Sequence, residues 1–238
     1  MEQPIIDAQF NGPNNSGNGG YVCGMIATQL SGSAGARTVM LRKPPPLELP
    51  LNWDRGGDFV KLIEPPGTVI GSAVPGEFVD GPLPCPPPEL AQRGMDNYPG
   101  YHRHPFDRCF TCGTDRKPGD GLRIFTGPID DSTVAAPWAP HPNFAGTDGR
   151  LSVPVMWATL DCPGGWAADF NKQAIVLGRM TAEVFRVPLV DESCIAVGGL
   201  QRVEGRKFFT NTALYAVEGE LLGRAEQVWI AIDVKDFS

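Results

Sequence analysis

Histidine is scarce in this chain: three among 238 residues, His102, His104 and His141. All three fall outside the helical patterns, which weakens any chemistry that needs a histidine paired with a carboxylate on a helix. No apolar run approaches the roughly 20 residues needed to cross a bilayer. The start, Met1-Glu2-Gln3-Pro4, has neither the basic segment nor the apolar core of an export signal, so a cytoplasmic protein with no membrane contact is expected. Cationic residues are outnumbered, 20 to 27, giving a net charge of −7 and a pI near 5.0. That balance argues against a nucleic-acid partner. There is no Gly-x-Ser-x-Gly elbow, which disfavours an α/β-hydrolase serine mechanism, and no Walker-type phosphate loop.

Hydrophobic residues make up 42% and charged residues 20%, the range of a folded globular chain. The length suits one large domain or two of roughly 120 residues. Six cysteines without an export signal are expected to be reduced, several of them buried. Cys109-Phe110-Thr111-Cys112 has the spacing of a metal knuckle, and His102 and His104 precede it. Only Cys109 and Cys112 have a ligand separation and the His-Arg-His spacing is a poor match to a metal site, so the expectation is a structural turn with free thiols and no metal.

The most distinctive stretch runs from Asn11 to Ala27. A loop rich in Gly and Asn leads directly into an apolar helical pattern, with Val22, Met25, Ile26 and Leu30 on one side. Gly19 and Gly20 fall at the helix entry, where amide N–H groups lack intrahelical partners and the dipole is positive. Such an end can hold a developing oxyanion. Strand-like runs follow over 38–42, 59–63 and 68–74. Residues 81–105 are dense in proline and read as a linker with little regular structure. Beyond it come strand-like runs at 122–125 and 132–136, a helix over 152–170, and long strands over 175–185, 194–203, 208–217 and 222–232. Glu218-Gly219-Glu220 is a hairpin signal between the last two.

One helix followed by an antiparallel meander, twice over, resembles tandem hot-dog-fold acyl-CoA thioesterases. In that family the helix entry often reads His-Gly-Gly where this chain has Asn18-Gly19-Gly20. Gly178-Arg179-Met180-Thr181, Arg186-Val187-Pro188-Leu189, Gly205-Arg206-Lys207 and Gly219 to Ala225 look like successive strands of one thioesterase half. In the other half, Leu41 to Leu47 holds the place of Arg186-Val187-Pro188-Leu189. The resemblance implies an α+β double hot-dog, each unit an antiparallel sheet wrapped around a central helix, with units at 1–80 and 106–238.

The resemblance also implies a division of labour: amides at one helix's N-terminus and a carboxylate on the other helix. The first helix has the glycine pair but only Ala27, Thr28 and Gln29 further along. The second has Asp161 but enters through Ser152-Val153-Pro154. One composite site is therefore expected, with Gly19 and Gly20 polarising a thioester carbonyl and Asp161 activating water. Asn15, Asn18 and Trp157 are expected to line the substrate. The alternative for Asp161 is a cap on the turn at Cys162-Pro163-Gly164-Gly165, and that for Asn15 and Asn18 is helix capping. Arg123, Arg186 and Arg206 are offered for CoA phosphates, or equally as ordinary solvated residues. The expected activity is hydrolysis of an acyl-CoA or similar acyl thioester without a cofactor, by one chain or a homodimer. The alternatives are a non-catalytic acyl-thioester-binding module and a hot-dog hydratase or dehydratase.

Overall fold

Asn18 ends the glycine-rich loop and starts the first helix, its side-chain oxygen accepting from the Tyr21 amide at 2.9 Å. In a computed structural model describing residues 3–32, 35–170 and 172–232, this helix, α1, spans Gly19–Thr28. It carries no charged residue, and Gly20, Val22, Cys23, Gly24, Ile26 and Ala27 are all buried. A helix apolar on all sides belongs inside a core. The following strands are β1 (Arg37–Leu41), β2 (Asn52–Arg55), β3 (Val60–Glu64) and β4 (Thr68–Pro75). The second helix, α2, spans Pro88–Asp96, and after it come β5 (Gly127–Pro128) and β6 (Thr133–Trp138). Two short helices, α3 (Val153–Thr159) and α4 (Cys162–Ala167), precede β7 (Ile175–Val184), β8 (Cys194–Glu204), β9 (Lys207–Ala216) and β10 (Leu221–Ala231).

The strands form one ten-stranded sheet in the order β2-β3-β4-β1-β7-β10-β9-β8-β6-β5, and its pairings are antiparallel. The two halves of the chain meet at β1 and β7, where Thr38 faces Thr181 and their hydroxyls lie 2.8 Å apart. Gly219 closes the β9–β10 hairpin at φ +94°, a conformation that favours glycine.

The sheet wraps an antiparallel helix pair. A Cβ at Gly20 would meet the Asp161 Cβ at 2.5 Å and the Trp157 carbonyl at 2.8 Å; one at Gly24 would meet Pro154 Cα at 2.7 Å. As α1 advances its partner runs backwards, and glycines four residues apart let the two backbones touch. Residues from both helices and the inner faces of the strands form the main core. A smaller cluster of Ala91, Ala135, Ile195, Val197, Ala213 and Tyr215 lies on the other face, under α2.

Several sequence expectations change. The 81–105 segment is not devoid of regular structure, because α2 forms there. Its Gly94 presses so close to β6 that a Cβ would sit 2.4 Å from the Ala135 carbonyl. The expected helix over 152–170 is two helices, since Pro163 supplies no N–H to continue the ladder. The carbonyls released by the break are captured by side chains. Thr212 Oγ1 and Gln227 Nε2 donate to Leu160 O at 2.8 and 2.7 Å, and Gln227 Nε2 also donates to Asp161 O at 3.1 Å. Residues 122–125 are not a strand. Leu122 and Ile124 instead donate to Phe110 O and Thr111 O, bracing the Cys-x-x-Cys loop. β2 was not anticipated, as Asn52-Trp53-Asp54-Arg55 is too polar to read as a strand. No described helix is long and apolar enough to cross a membrane.

Candidate active site

The helix break places Asp161. It holds the N-cap position of α4, yet its side chain makes no capping hydrogen bond; the carboxylate turns instead toward the entry of α1. Asn18 Nδ2 donates to Asp161 Oδ2 at 2.8 Å. Asn18 therefore caps α1 through its oxygen and holds the acid through its nitrogen. Asp161 is 2% exposed, and Oδ1 has no hydrogen-bond partner of good geometry. Burial, the largest cause, pushes its pKa up to about 7; a negative Cys109 thiolate would add to this, while the Gly20 amide and Asn18 oppose it. A buried carboxyl poised near neutrality suits proton transfer.

The entry glycines divide the work of that corner. Gly20 packs against Asp161 and Trp157. Gly19 stands at the first helical position, whose N–H has no intrahelical acceptor, and it lines a cavity of about 250 Å³. Asn18, Asp161, Cys109, Cys112 and Cys162 share the same wall, and Phe106, Phe170, Leu177 and Trp229 supply apolar surface. The charged lining outside this wall is Arg42 and Lys43, both exposed. A narrow, mostly apolar slot with polar groups gathered on one wall fits an extended acyl ligand with a reactive polar end.

The remaining expected residues divide. Asn15 is exposed on a turn and Trp157 is packed in the helix seam against Gly24; neither lines the cavity. Arg186 is committed to Glu192 and Glu220, at 2.6 and 2.7 Å. Arg123 lies over the Phe125 ring and donates to the Arg116 carbonyl. Arg206 is exposed and not part of the cavity lining. His104 is tied to the backbone through both ring nitrogens, accepting from Phe106 N at 2.9 Å and meeting Cys112 O at 3.0 Å.

Sequence reasoning missed Arg116, which is 4% exposed and binds Asp120, the Arg108 and Gln9 carbonyls and Asn11. It ties the N-terminal loop to the Cys-x-x-Cys segment. Nothing in the local pattern singles it out from the other cations.

At the opposite end of the helix pair, the equivalent depression is lined by Met25, Thr28, Gln29, Trp53 and Pro154 among others, none of them an acid. Among the described residues lining the two depressions, the acid and the thiols lie at one end of the helix pair.

Asn18→Asp retains an oxygen to cap Tyr21 but loses the donor to Asp161 and sets two carboxyls together. Asn18→Ala loses both roles. Stability is expected to fall by about 1 kcal/mol from the lost cap in the alanine variant, and any activity by at least about tenfold in both. Thermal unfolding beside turnover separates the two effects; full activity in Asn18→Asp would remove the positioning role.

No family model matches the chain, and no curated protein matches its sequence. Solved structures do match. Over 93% of this chain and 89% of its own, a tesB protein from Mycobacterium avium subspecies paratuberculosis superposes with a TM-score of 0.60 at 12% identity. Acyl-CoA thioesterase II TesB2 from Mycobacterium marinum superposes over 90% of this chain and 88% of its own, with a TM-score of 0.55 at 15% identity. With its single antiparallel sheet around a central helix pair, this chain has the α+β double hot-dog fold of those TesB-type proteins.

Proposed function

We propose that the chain hydrolyses an acyl thioester, with an acyl-CoA as the substrate class, at one composite site. The observation that carries this reading is the meeting of Asp161 from one repeat with the Gly19-Gly20 helix entry of the other, on the wall of an apolar cavity. Residues eight apart on one helix are separated by roughly 12 Å, so two antiparallel helices are needed to bring acid and amides to one carbonyl carbon.

The thioester carbonyl lies toward the amide end of α1, and Asp161 takes a proton from water as that water attacks the carbon. Negative charge gathers on the carbonyl oxygen, where the Gly19 amide and the helix dipole stabilise it. When the intermediate collapses the C–S bond breaks, the sulfur leaves with the electron pair, and Asp161 returns the proton to it. The acyl chain occupies the slot beside Leu177, Phe170 and Trp229. Arg42 and Lys43 at the rim provide positive charge for the phosphates of a CoA carrier. The two units, 1–80 and 106–238 with 81–105 between them, work as one cytoplasmic catalytic body, and homodimerisation is not required to complete the site. A hydratase reading is disfavoured because no histidine faces the cavity.

The test is release of free thiol from CoA esters of graded chain length, aliphatic and aromatic, followed with a thiol reagent. Turnover of at least one ester above the buffer rate supports hydrolysis. Saturable binding of the esters with no thiol released would instead establish a binding module.

A further inference from the structure

The hydrolytic scheme leaves three buried thiols on the same wall unused. Cys109, Cys112 and Cys162 are 3%, 1% and 2% exposed, and their sulfurs all lie within 4.8 Å of one another. Cys109 Sγ and Cys162 Sγ are 3.6 Å apart. A tetrahedral zinc–thiolate centre, with Zn–S near 2.3 Å, sets sulfurs about 3.8 Å from one another. The trio therefore needs movements of about 1 Å at most to close on an ion, whereas a disulfide needs an S–S bond of about 2.05 Å.

The surroundings are also those of a ligand loop. Gly113 directly follows the second cysteine, and its amide donates to Cys109 O at 2.8 Å, closing a tight turn. A Cβ there would strike the Asp107 and Cys109 carbonyls at 2.5 and 2.6 Å. Thr111 Oγ1 donates to Ala158 O at 3.0 Å, and Tyr98 Oη to Cys112 O at 2.9 Å, so the loop is fixed before any ion arrives.

Two N–H groups lie ready to support anionic sulfur. Asn18 Nδ2 is 3.7 Å from Cys109 Sγ. The Trp166 indole N–H, beside Cys112, is buried without a hydrogen-bond partner. A neutral thiol is a weak acceptor, and a metal-bound thiolate is a much better one. An orphaned buried N–H against a trio of sulfurs is accounted for if the sulfurs are ionised and bound.

From this geometry we propose that Cys109, Cys112 and Cys162 hold one zinc ion, with the fourth coordination position opening into the cavity. Each thiol releases its proton to solvent on binding, and a water or a soft ligand from the cavity completes the tetrahedron. His104, although near the motif, is not a ligand, because both its ring nitrogens are engaged. The ion would pin the Cys-x-x-Cys loop to the first turn of α4, immediately after Asp161.

The test does not depend on turnover, so it stands or falls separately from the hydrolytic reading. Protein purified under reducing conditions is analysed for metal content, then stripped with a chelator and titrated with Zn²⁺ alone and with Co²⁺ alone. About one zinc per chain is expected, and cobalt should give sulfur-to-metal charge transfer with a tetrahedral visible band. Cys109→Ser, Cys112→Ser and Cys162→Ser should each weaken Zn²⁺ binding at least about tenfold, while Cys85→Ser, remote from the trio, should not. The wild-type cobalt spectrum decides the matter even where a serine variant fails to fold. No uptake of either ion by the fully reduced chain, a cobalt spectrum without sulfur charge transfer, or binding undiminished in the three variants would overturn the proposal.

Discussion

Replacing Asp161 by Asn is expected to lower thioester hydrolysis by about 10²- to 10⁴-fold, the usual contribution of a positioned general base, while leaving the fold intact or slightly more stable. Asparagine has nearly the same shape and can still receive the Asn18 amide through its oxygen. It also removes a carboxyl that is 2% exposed and has one oxygen without a hydrogen-bond partner. Burying such a group is costly, so the variant relieves a penalty rather than deleting a support. Turnover with the best CoA ester, measured beside the thermal midpoint, gives both halves of the result. A large rate loss without loss of stability marks a residue held for chemistry. An equally active variant would return Asp161 to a structural role.

The second large effect is expected at Gly20. Alanine normally favours a helix interior over glycine by about 1 kcal/mol. Here its Cβ would meet Asp161 Cβ at 2.5 Å, the Trp157 carbonyl at 2.8 Å and Ala158 Cα at 3.1 Å. These are a Cβ and backbone atoms, which cannot swing aside as the tip of a side chain can. The helices must separate, at about 1–3 kcal/mol for overpacking, and the acid shifts relative to the amide end. A displacement of about 1 Å at a reacting group is worth up to about 10²-fold in rate. Gly20→Ala should therefore both melt earlier and lose most of its turnover. Gly19→Ala should be milder, since its new methyl meets one side chain and no backbone atom, Leu177 Cβ at 2.9 Å and Cδ2 at 3.0 Å; Cδ2 can turn aside, and the Cβ contact asks for a small shift of one strand residue. A more stable, fully active Gly20→Ala protein would show that the close approach is not needed.

Much of this architecture was legible because its signals are local. The apolar run behind Asn18-Gly19-Gly20 has the period of a helix, and the strands beyond Ile175 are long, apolar and punctuated by glycines. Asp161 stood out as the carboxylate two turns into the second helical pattern. The break at Pro163 was visible as a proline, but its outcome was not. Whether the chain bends or stops there depends on who takes the freed carbonyls, and the takers, Thr212 and Gln227, are over fifty residues away. The same reason hid the thiol trio: Cys109 and Cys112 are a local pair, while Cys162 joins them only after the helices pack. Histidines close in sequence drew attention away from a cysteine close in space. Arg42, at the end of the strand-like run 38–42, and Lys43 were passed over because nothing local tells a cation before a triple proline from any other, whereas Arg123 and Arg186 attracted notice and are engaged elsewhere, and Arg206 is exposed away from the cavity.

The junction at β1 and β7 bears on how the site would behave in dilute solution. Where acid and amide end are supplied by separate molecules, occupancy of the paired state follows mass action and fades as protein becomes scarce. Here a covalent tether keeps the halves at a fixed effective concentration. On the proposed reading, each polypeptide thus carries both the acid and the amide end, independent of encounter with another copy.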